Sequence, residues 1–190
     1  MKRSIRKEMR ARLAAMPADL AASKSRAACQ RLIALKEFQD AATVMLYMNM
    51  PEEVDTTQAV LAAWDAEKTV LAPKVSWEHR HMEALEVRSL EAGLVTSEQG
   101  IREPQYGEPW PVESIDLIVL PALAFDRRGH RLGRGLGFYD RFLANPRIRA
   151  FRCGLAFAEQ VVDELPITQN DQPVDALVTD VEALRFDRQK

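Results

Sequence analysis

The chain has 190 residues, enough to bury the core of one domain. Its 26 basic residues against 28 acidic ones leave a net charge of −2, which argues against general nucleic-acid binding. No apolar run reaches membrane-spanning length, the N-terminus lacks the apolar stretch of a signal peptide, and the lone Cys29 and Cys153 form no CxxC pair, so a cytoplasmic protein with two ordinary buried thiols is expected.

Residues 4–16 have helical periodicity, with Ile5, Met9, Leu13 and Met16 on one face. Lys2, Arg3, Arg6, Lys7, Arg10 and Arg12 make this end strongly basic, which by itself reads as a solvated charged face. Pro17 breaks the pattern, and residues 18–36 form a second predicted helix with Leu20, Ala27, Ala28, Leu32 and Leu35 inward. The apolar run 43–48 reads as a central strand that ends before Pro51. Asp55, with Gln58 three residues later, makes a capping box for a helix reaching about residue 68, with Val60, Leu61 and Trp64 inward. Asp55 therefore has a structural explanation, whereas Glu53 stands just past the C-terminal end of a strand, where open α/β sheets bind ligands. Residues 69–72 predict another strand, followed by Lys74, either a surface lysine or a phosphate contact. Residues 81–87 predict a strand outside the parallel core, and His79 and His81 read as surface residues because they have no metal-ligand partners nearby. Residues 93–113, with three prolines, read as an ordered loop of the kind that forms a lid or a pocket wall.

The run 115–120 predicts a buried strand, and the chain after it holds Gly129, Gly133, Gly135 and Gly137, four of its eight glycines. Arg131 and Arg134 interleave with them, and Phe138-Tyr139-Asp140-Arg141-Phe142-Leu143 then starts a helix. Glycine lets backbone N–H groups converge, guanidinium groups match phosphate oxygens, and the first turn of a helix lacks N–H partners, so the stretch has the makings of an anion site; the plainer reading is a tight turn that needs glycine. The dinucleotide fingerprint fails, since its third glycine falls at Phe138 in one register and at Asp140 in the other, and no Gly-Lys-Ser/Thr is present. Asn145-Pro146 ends this helix, 152–157 predict a strand, a short helical run stops at Pro166, and 174–178 predict the last strand. Asp175, at the start of that strand, either faces solvent or serves a ligand. Residues 185–190 are polar and expected to fray. Strands alternating with helices, without repeats or linkers, predict an α/β fold with a largely parallel sheet.

The run Arg131-Leu132-Gly133-Arg134-Gly135-Leu136-Gly137-Phe138-Tyr139-Asp140, preceded by Pro121-Ala122-Leu123-Ala124-Phe125-Asp126, closely resembles the signature of the 5-formyltetrahydrofolate cyclo-ligase (5,10-methenyltetrahydrofolate synthetase) family. That family usually has Tyr at the place of Phe138. Lys2-Arg3-Ser4-Ile5-Arg6, Glu53-Val54-Asp55-Thr56, Gly100-Ile101-Arg102-Glu103-Pro104 and Val174-Asp175 resemble further family segments, so the likeness covers nearly the whole chain. It implies a single-domain three-layer α/β/α fold over residues 1–190, Rossmann-like but without the dinucleotide fingerprint. It also implies ATP-dependent conversion of 5-formyltetrahydrofolate to 5,10-methenyltetrahydrofolate, with Mg²⁺ as cofactor and ATP as co-substrate. On this resemblance Lys2, Arg3, Ser4, Ile5 and Arg6, together with Arg131, Leu132, Gly133, Arg134, Gly135, Leu136, Gly137, Phe138 and Tyr139, bind ATP; Arg134 and Tyr139 are catalytic; Met48 and Glu53 bind the folate; and Asp140 and Asp175 hold the metal. The expected partners are small molecules, with neither nucleic acid nor membrane, and the expected state is a monomer. Two readings of other classes compete: a sugar-phosphate isomerase or CoA-transferase-like enzyme that needs no ATP, and a folate- or nucleotide-binding module without turnover.

Overall fold

The structure, a computed structural model, describes residues 1–97 and 100–187. Helix α1 (Lys2–Ala14) buries Met9 and Leu13 and keeps most of its charged residues outside. Pro17 is the N-cap of α2 (Ala18–Ile33), where its fixed φ and missing N–H cost nothing. The buried stripe of α2 runs through Ser25, Ala28, Cys29 and Leu32; Leu20, predicted to point inward, is off that stripe and exposed. The helix stops short of residue 36 and a separate turn, α3 (Lys36–Asp40), buries Phe38.

Next come β1 (Thr43–Met45), α4 (Thr57–Asp65), β2 (Thr69–Ser76) and β3 (His81–Glu86). The inward positions of α4 are Ala59, Val60 and Ala63, so Leu61, predicted to be inward, lies off the stripe and is exposed. The segment predicted as a loop holds a small antiparallel hairpin, β4 (Leu94–Thr96) and β5 (Arg102–Pro104). Then follow β6 (Leu117–Leu120), β7 (Ala124–Asp126), β8 (Arg131–Leu132), α5 (Phe138–Leu143), β9 (Phe151–Leu155), β10 (Val161–Val162), β11 (Ala176–Val178) and β12 (Ala183–Arg185). Residue 185, expected in a frayed tail, ends β12 and pairs with Glu37, and Phe186 N donates to Asp175 O at 2.8 Å; residues 188–190 of that tail lie outside the described residues.

The main sheet has the order β12-β11-β9-β6-β1-β2-β3. The five central strands are parallel, and β3 and β12 are antiparallel edges. Side chains alternate between two cores. Val44, Leu117, Val119, Cys153 and Val178 pack under α1, α2, α3 and α4, while Met45, Ile118, Leu120 and Leu177 pack under α5 and Phe125. This is the expected three-layer α/β/α arrangement. Counting only the parallel strands, the order is second, first, third, fourth, fifth. The winding therefore reverses between β1 and β6, and in such sheets ligands sit beyond the carboxyl ends of the strands at that reversal.

Gly154 fixes how tightly the second core closes. A Cβ there would stand 2.5 Å from Phe125 Cε1 and 2.9 Å from its Cζ, inside the van der Waals limit. Gly154→Ala is expected to lose about 1–3 kcal/mol, read as a lower thermal midpoint; an unchanged midpoint would show that Phe125 has room to retreat.

Candidate active site

Beyond β1 the chain stays buried through Leu46, Tyr47 and Met48. Tyr47 ties the following turn together: its hydroxyl donates to Val54 O at 3.0 Å, and its carbonyl accepts from Thr56 Oγ1 at 2.8 Å. Asp55 Oδ1 accepts from Thr57 N at 2.9 Å, two residues on, and Asp55 N donates to Ser25 Oγ; neither bond of the predicted capping box with Gln58 forms, because Thr56 holds the N-cap position. The turn points Glu53 inward. Its Oε2 accepts from Met50 N at 3.0 Å and its Oε1 from Arg134 at 3.3 Å. Burial raises the Glu53 pKa above the usual carboxylate range, against the pull of Met50 N–H and Arg134.

Beyond β6 lies the antiparallel pair β7–β8, a hairpin where the sequence predicted loop. Its turn is closed by Asp126, whose Oδ1 accepts from the N–H groups of Arg128 and His130 at 2.9 Å each. Burial alone would raise the Asp126 pKa, but bonds from His130, Arg128 and Leu165 hold it below the ordinary value, which marks Asp126 as structural. The turn presents Arg131, whose side chain is only 3% exposed and donates to Asp140 Oδ1 at 2.7 Å. Burial pulls the Arg131 pKa down and Asp140 works against that shift. Its guanidinium also lies 5.8 Å from the centre of the Tyr139 ring. The Tyr139 phenol is itself pushed well above its ordinary pKa by burial and by Glu53.

Gly135 and Gly137 have φ of +108° and +69°, which glycine adopts without strain. Helix α1 docks on this loop. Arg6 Nε donates to Gly133 O at 2.9 Å, and a Cβ on Gly135 would lie 3.3 Å from the Arg6 guanidinium carbon. Lys2 pairs with Asp171 at 2.6 Å. Arg134 reaches across to Glu52 at 3.1 Å as well as to Glu53. The Nε atoms of Arg131 and Arg134 are buried with no partner among the described residues. Together these groups surround a cavity of about 670 Å³. Its lining combines the cations of the glycine loop and α1 with the apolar side chains of Met48, Met50, Val75 and Met82.

Of the residues expected to bind ATP, the structure brings Lys2, Arg6 and the whole run 131–139 to the cavity. Arg3 and Ser4 are exposed, and Ile5 packs against the core, because a helix docked along one face can offer only every third or fourth side chain. Met48, Glu53 and Asp140 also line the cavity. Asp175 does not. It precedes β11, at the sheet edge opposite the strand ends that open into the cavity, and its Oδ2 accepts from Arg152 N at 2.7 Å. The expected pairing of Asp140 with Asp175 around one metal is therefore corrected. Besides Glu53, the carboxylate that shares the cavity with Asp140 is Asp171. Lys74 donates to Gln105 O at 2.8 Å and ties β2 to the segment after β5, while Ile101, just before β5, lines the cavity wall. His79 and His81 are exposed. Trp77, Arg141 and Asp171 line the cavity without any motif having marked them. The Gln169–Gln172 turn before Pro173 was the only sequence signal for the last of these. With six residues, α5 contributes little as a dipole, so the anion character of the loop rests on its arginines and backbone N–H groups.

Among the described residues no group of three or more His, Cys, Asp or Glu is placed to hold a metal. Asp140 fits a different arrangement. Its two hydrogen bonds, from Arg131 and from Gln172 N, both fall on Oδ1. Oδ2 is left for a cation of the kind that takes one carboxylate and completes its shell with phosphate oxygens and waters, as Mg²⁺ does.

The sequence model of the "5-formyltetrahydrofolate cyclo-ligase family" matches residues 1–180. A 5-formyltetrahydrofolate cyclo-ligase of Mus musculus is 30% identical over 187 residues, covering 93% of this chain and 92% of the mouse protein. The solved structure of Aquifex aeolicus 5,10-methenyltetrahydrofolate synthetase superposes with a TM-score of 0.85 at 33% identity, over 100% of this chain and 94% of that one. A 5,10-methenyltetrahydrofolate synthetase from Mycoplasma pneumoniae, 21% identical, shares the fold with a TM-score of 0.77 over 94% of this chain and 98% of its own. A glycine loop beside paired arginines, a buried glutamate at the reversal of the sheet and relatives of matching length lead to one conclusion: the chain belongs to the 5-formyltetrahydrofolate cyclo-ligase family.

Proposed function

We propose that this cavity carries out ATP-dependent closure of 5-formyltetrahydrofolate to 5,10-methenyltetrahydrofolate, releasing ADP and phosphate. The observation that carries the reading is the meeting of buried Glu53 with Arg134 at 3.3 Å, because it sets a folate-directed carboxylate beside a phosphate-directed guanidinium. An amide oxygen is a poor leaving group. Transfer of the γ-phosphoryl group of ATP to the formyl oxygen makes it a good one. N10 then attacks the formyl carbon and loses its proton, and the C–O bond breaks to release phosphate.

Phosphoryl transfer depends mainly on positioning and on stabilising charge. Arg131 and Arg134, with the N–H groups of the glycine loop, supply that stabilisation, and both arginines hold an Nε free for a ligand oxygen. Lys2 and Arg6 extend the cationic wall from α1. Glu53 accepts from the donor edge of the pterin, and Met48, Met50 and Tyr139 pack against its faces. Asp140 holds Mg²⁺, which when bound neutralises phosphate charge. All of these residues come from one chain, so the reading needs a single copy acting as one domain on small molecules. Both cysteines are free and buried, and we place the protein in a reducing compartment, the cytoplasm.

The test is incubation with 5-formyltetrahydrofolate, ATP and Mg²⁺ while following methenyl absorbance and ADP release. One ADP per methenyl product is expected. Well-folded protein that gives no product defeats the reading in favour of a binding module, and product formed without nucleotide defeats it in favour of an ATP-independent enzyme.

A further inference from the structure

The tip of the β2–β3 hairpin, residues 77–80, takes no part in the roles assigned above, yet it is fastened to the glycine loop by one side chain. Arg141 Nε donates to Arg80 O at 2.9 Å, and its NH2 group donates to Leu136 O, also at 2.9 Å. No carboxylate among the described residues pairs with Arg141, so its planar fork is spent on two carbonyls that belong to two different elements. The same guanidinium lies 5.2 Å from the centre of the Phe138 ring. Trp77 meets that ring edge-on, with centroids 5.1 Å apart and an interplanar angle of 80°.

Two backbone features support the fastening. A Cβ on Gly137 would stand 3.0 Å from an Arg141 guanidinium nitrogen, so the arginine fills the space that only glycine leaves open. Arg80 has φ +48°, a left-handed conformation that costs free energy for a residue with a side chain and persists only where surrounding contacts hold it. Trp77, Phe138 and Arg141 all line the cavity, and the Trp77 indole N–H is buried without an acceptor among the described residues.

We propose that Arg141 is a positioning residue: it clasps the hairpin tip, and Trp77 on it, to residues 136–138, and thereby sets both the aromatic wall of the cavity and the conformation of the glycine loop. The inference rests on the cavity being the ligand site, but not on which reaction occurs there.

Arg141→Met keeps the length and the packing over Phe138 and removes both donors, while Arg141→Lys keeps the charge and reaches one carbonyl at a time. The first readout is the rate of trypsin cleavage at the Arg80–His81 bond, followed by peptide mass. The second is KM for ATP against kcat, with thermal melting as a control. In Arg141→Met, cleavage at Arg80 is expected to rise about fivefold with other sites unchanged. KM for ATP should rise by about the same factor, kcat should change less than about twofold, and the melting midpoint should move by no more than about 2 °C. Arg141→Lys should fall between the two. Wild-type cleavage at Arg80, faster cleavage at all sites alike, or faster cleavage with wild-type KM would each overturn the proposal. If the wild-type protein makes no methenyl product, the assigned reaction fails and calorimetric ATP affinity replaces KM, so the two failures stay distinct.

Discussion

Asp140→Asn is expected to lower stability by about 2–3 kcal/mol even in the absence of any ligand. Arg131 is the reason. Its side chain is 3% exposed, and Asp140 is the carboxylate that hydrogen-bonds to it, at 2.7 Å. A guanidinium taken out of water and left with a neutral partner keeps its desolvation cost and loses its counter-charge. Asp140 is 27% exposed, so water recovers part of the loss, which places the estimate below that for a fully buried pair. For a chain of this length the change corresponds to a fall of roughly 5–10 °C in the melting midpoint. A separate effect follows from the proposed metal role: turnover should fall at least about tenfold, and half-saturation by Mg²⁺ should move to higher concentration. The two effects separate experimentally. Melting without nucleotide or Mg²⁺ reads the ion pair, and Mg²⁺ titration of turnover reads the metal. A midpoint within about 1 °C of wild type would refute the structural role, and a superimposable Mg²⁺ curve would remove Asp140 from the metal site.

The parallel core was legible because strands covered on both faces read as continuous apolar runs: the stretches at 43–48 and 115–120 contain strands of the main sheet, and that at 69–72 is the first half of β2. β4, β5 and β12 were not, because three-residue strands at a periphery carry no such run and are stabilised by partners distant in sequence. The inward faces of α2 and α4 were read one position off at Leu20 and Leu61, since apolar residues at helix surfaces look like core until the sheet fixes the rotation. The site divides in the same way. Glu53 and the loop 131–140 could be found because their residues are contiguous and their glycines and charges carry a mechanism. Asp171, Trp77 and Arg141 could not, because the cavity gathers them from a turn, a hairpin tip and the exposed side of α5. Asp175 is the opposite failure: a motif supplied a residue type, but the direction of β11 puts that residue at the wrong end of a strand.

Glu53→Gln is expected to weaken folate binding by about 1.5–3 kcal/mol, roughly ten- to a hundredfold, and to leave ATP affinity within about twofold. The neutral amide keeps the shape and one acceptor oxygen but no longer offers a charged acceptor to the pterin's donor edge. Arg134 stays tethered to Glu52 at 3.1 Å, which is why the phosphate side should be spared. The raised pKa adds a pH signature. Burial lifts Glu53 above the ordinary carboxylate range, so as pH falls through that raised value the wild-type side chain takes up a proton and folate affinity declines. The stability term has the opposite sign: a carboxyl with a folded pKa above its unfolded one binds more protons when folded, so its cost to folding is relieved as pH falls through the same window. The wild-type protein should therefore lose folate affinity on acidification without a matching loss of stability from this group. Glu53→Gln should have a flat folate profile there and be at least as stable as wild type near neutrality, because a neutral group replaces a buried charge. Calorimetry with each ligand across pH, together with melting, reads all of these terms. Equal losses for folate and ATP, or an acid-side decline that survives in Glu53→Gln, would show that Glu53 is not the carboxylate that holds the pterin.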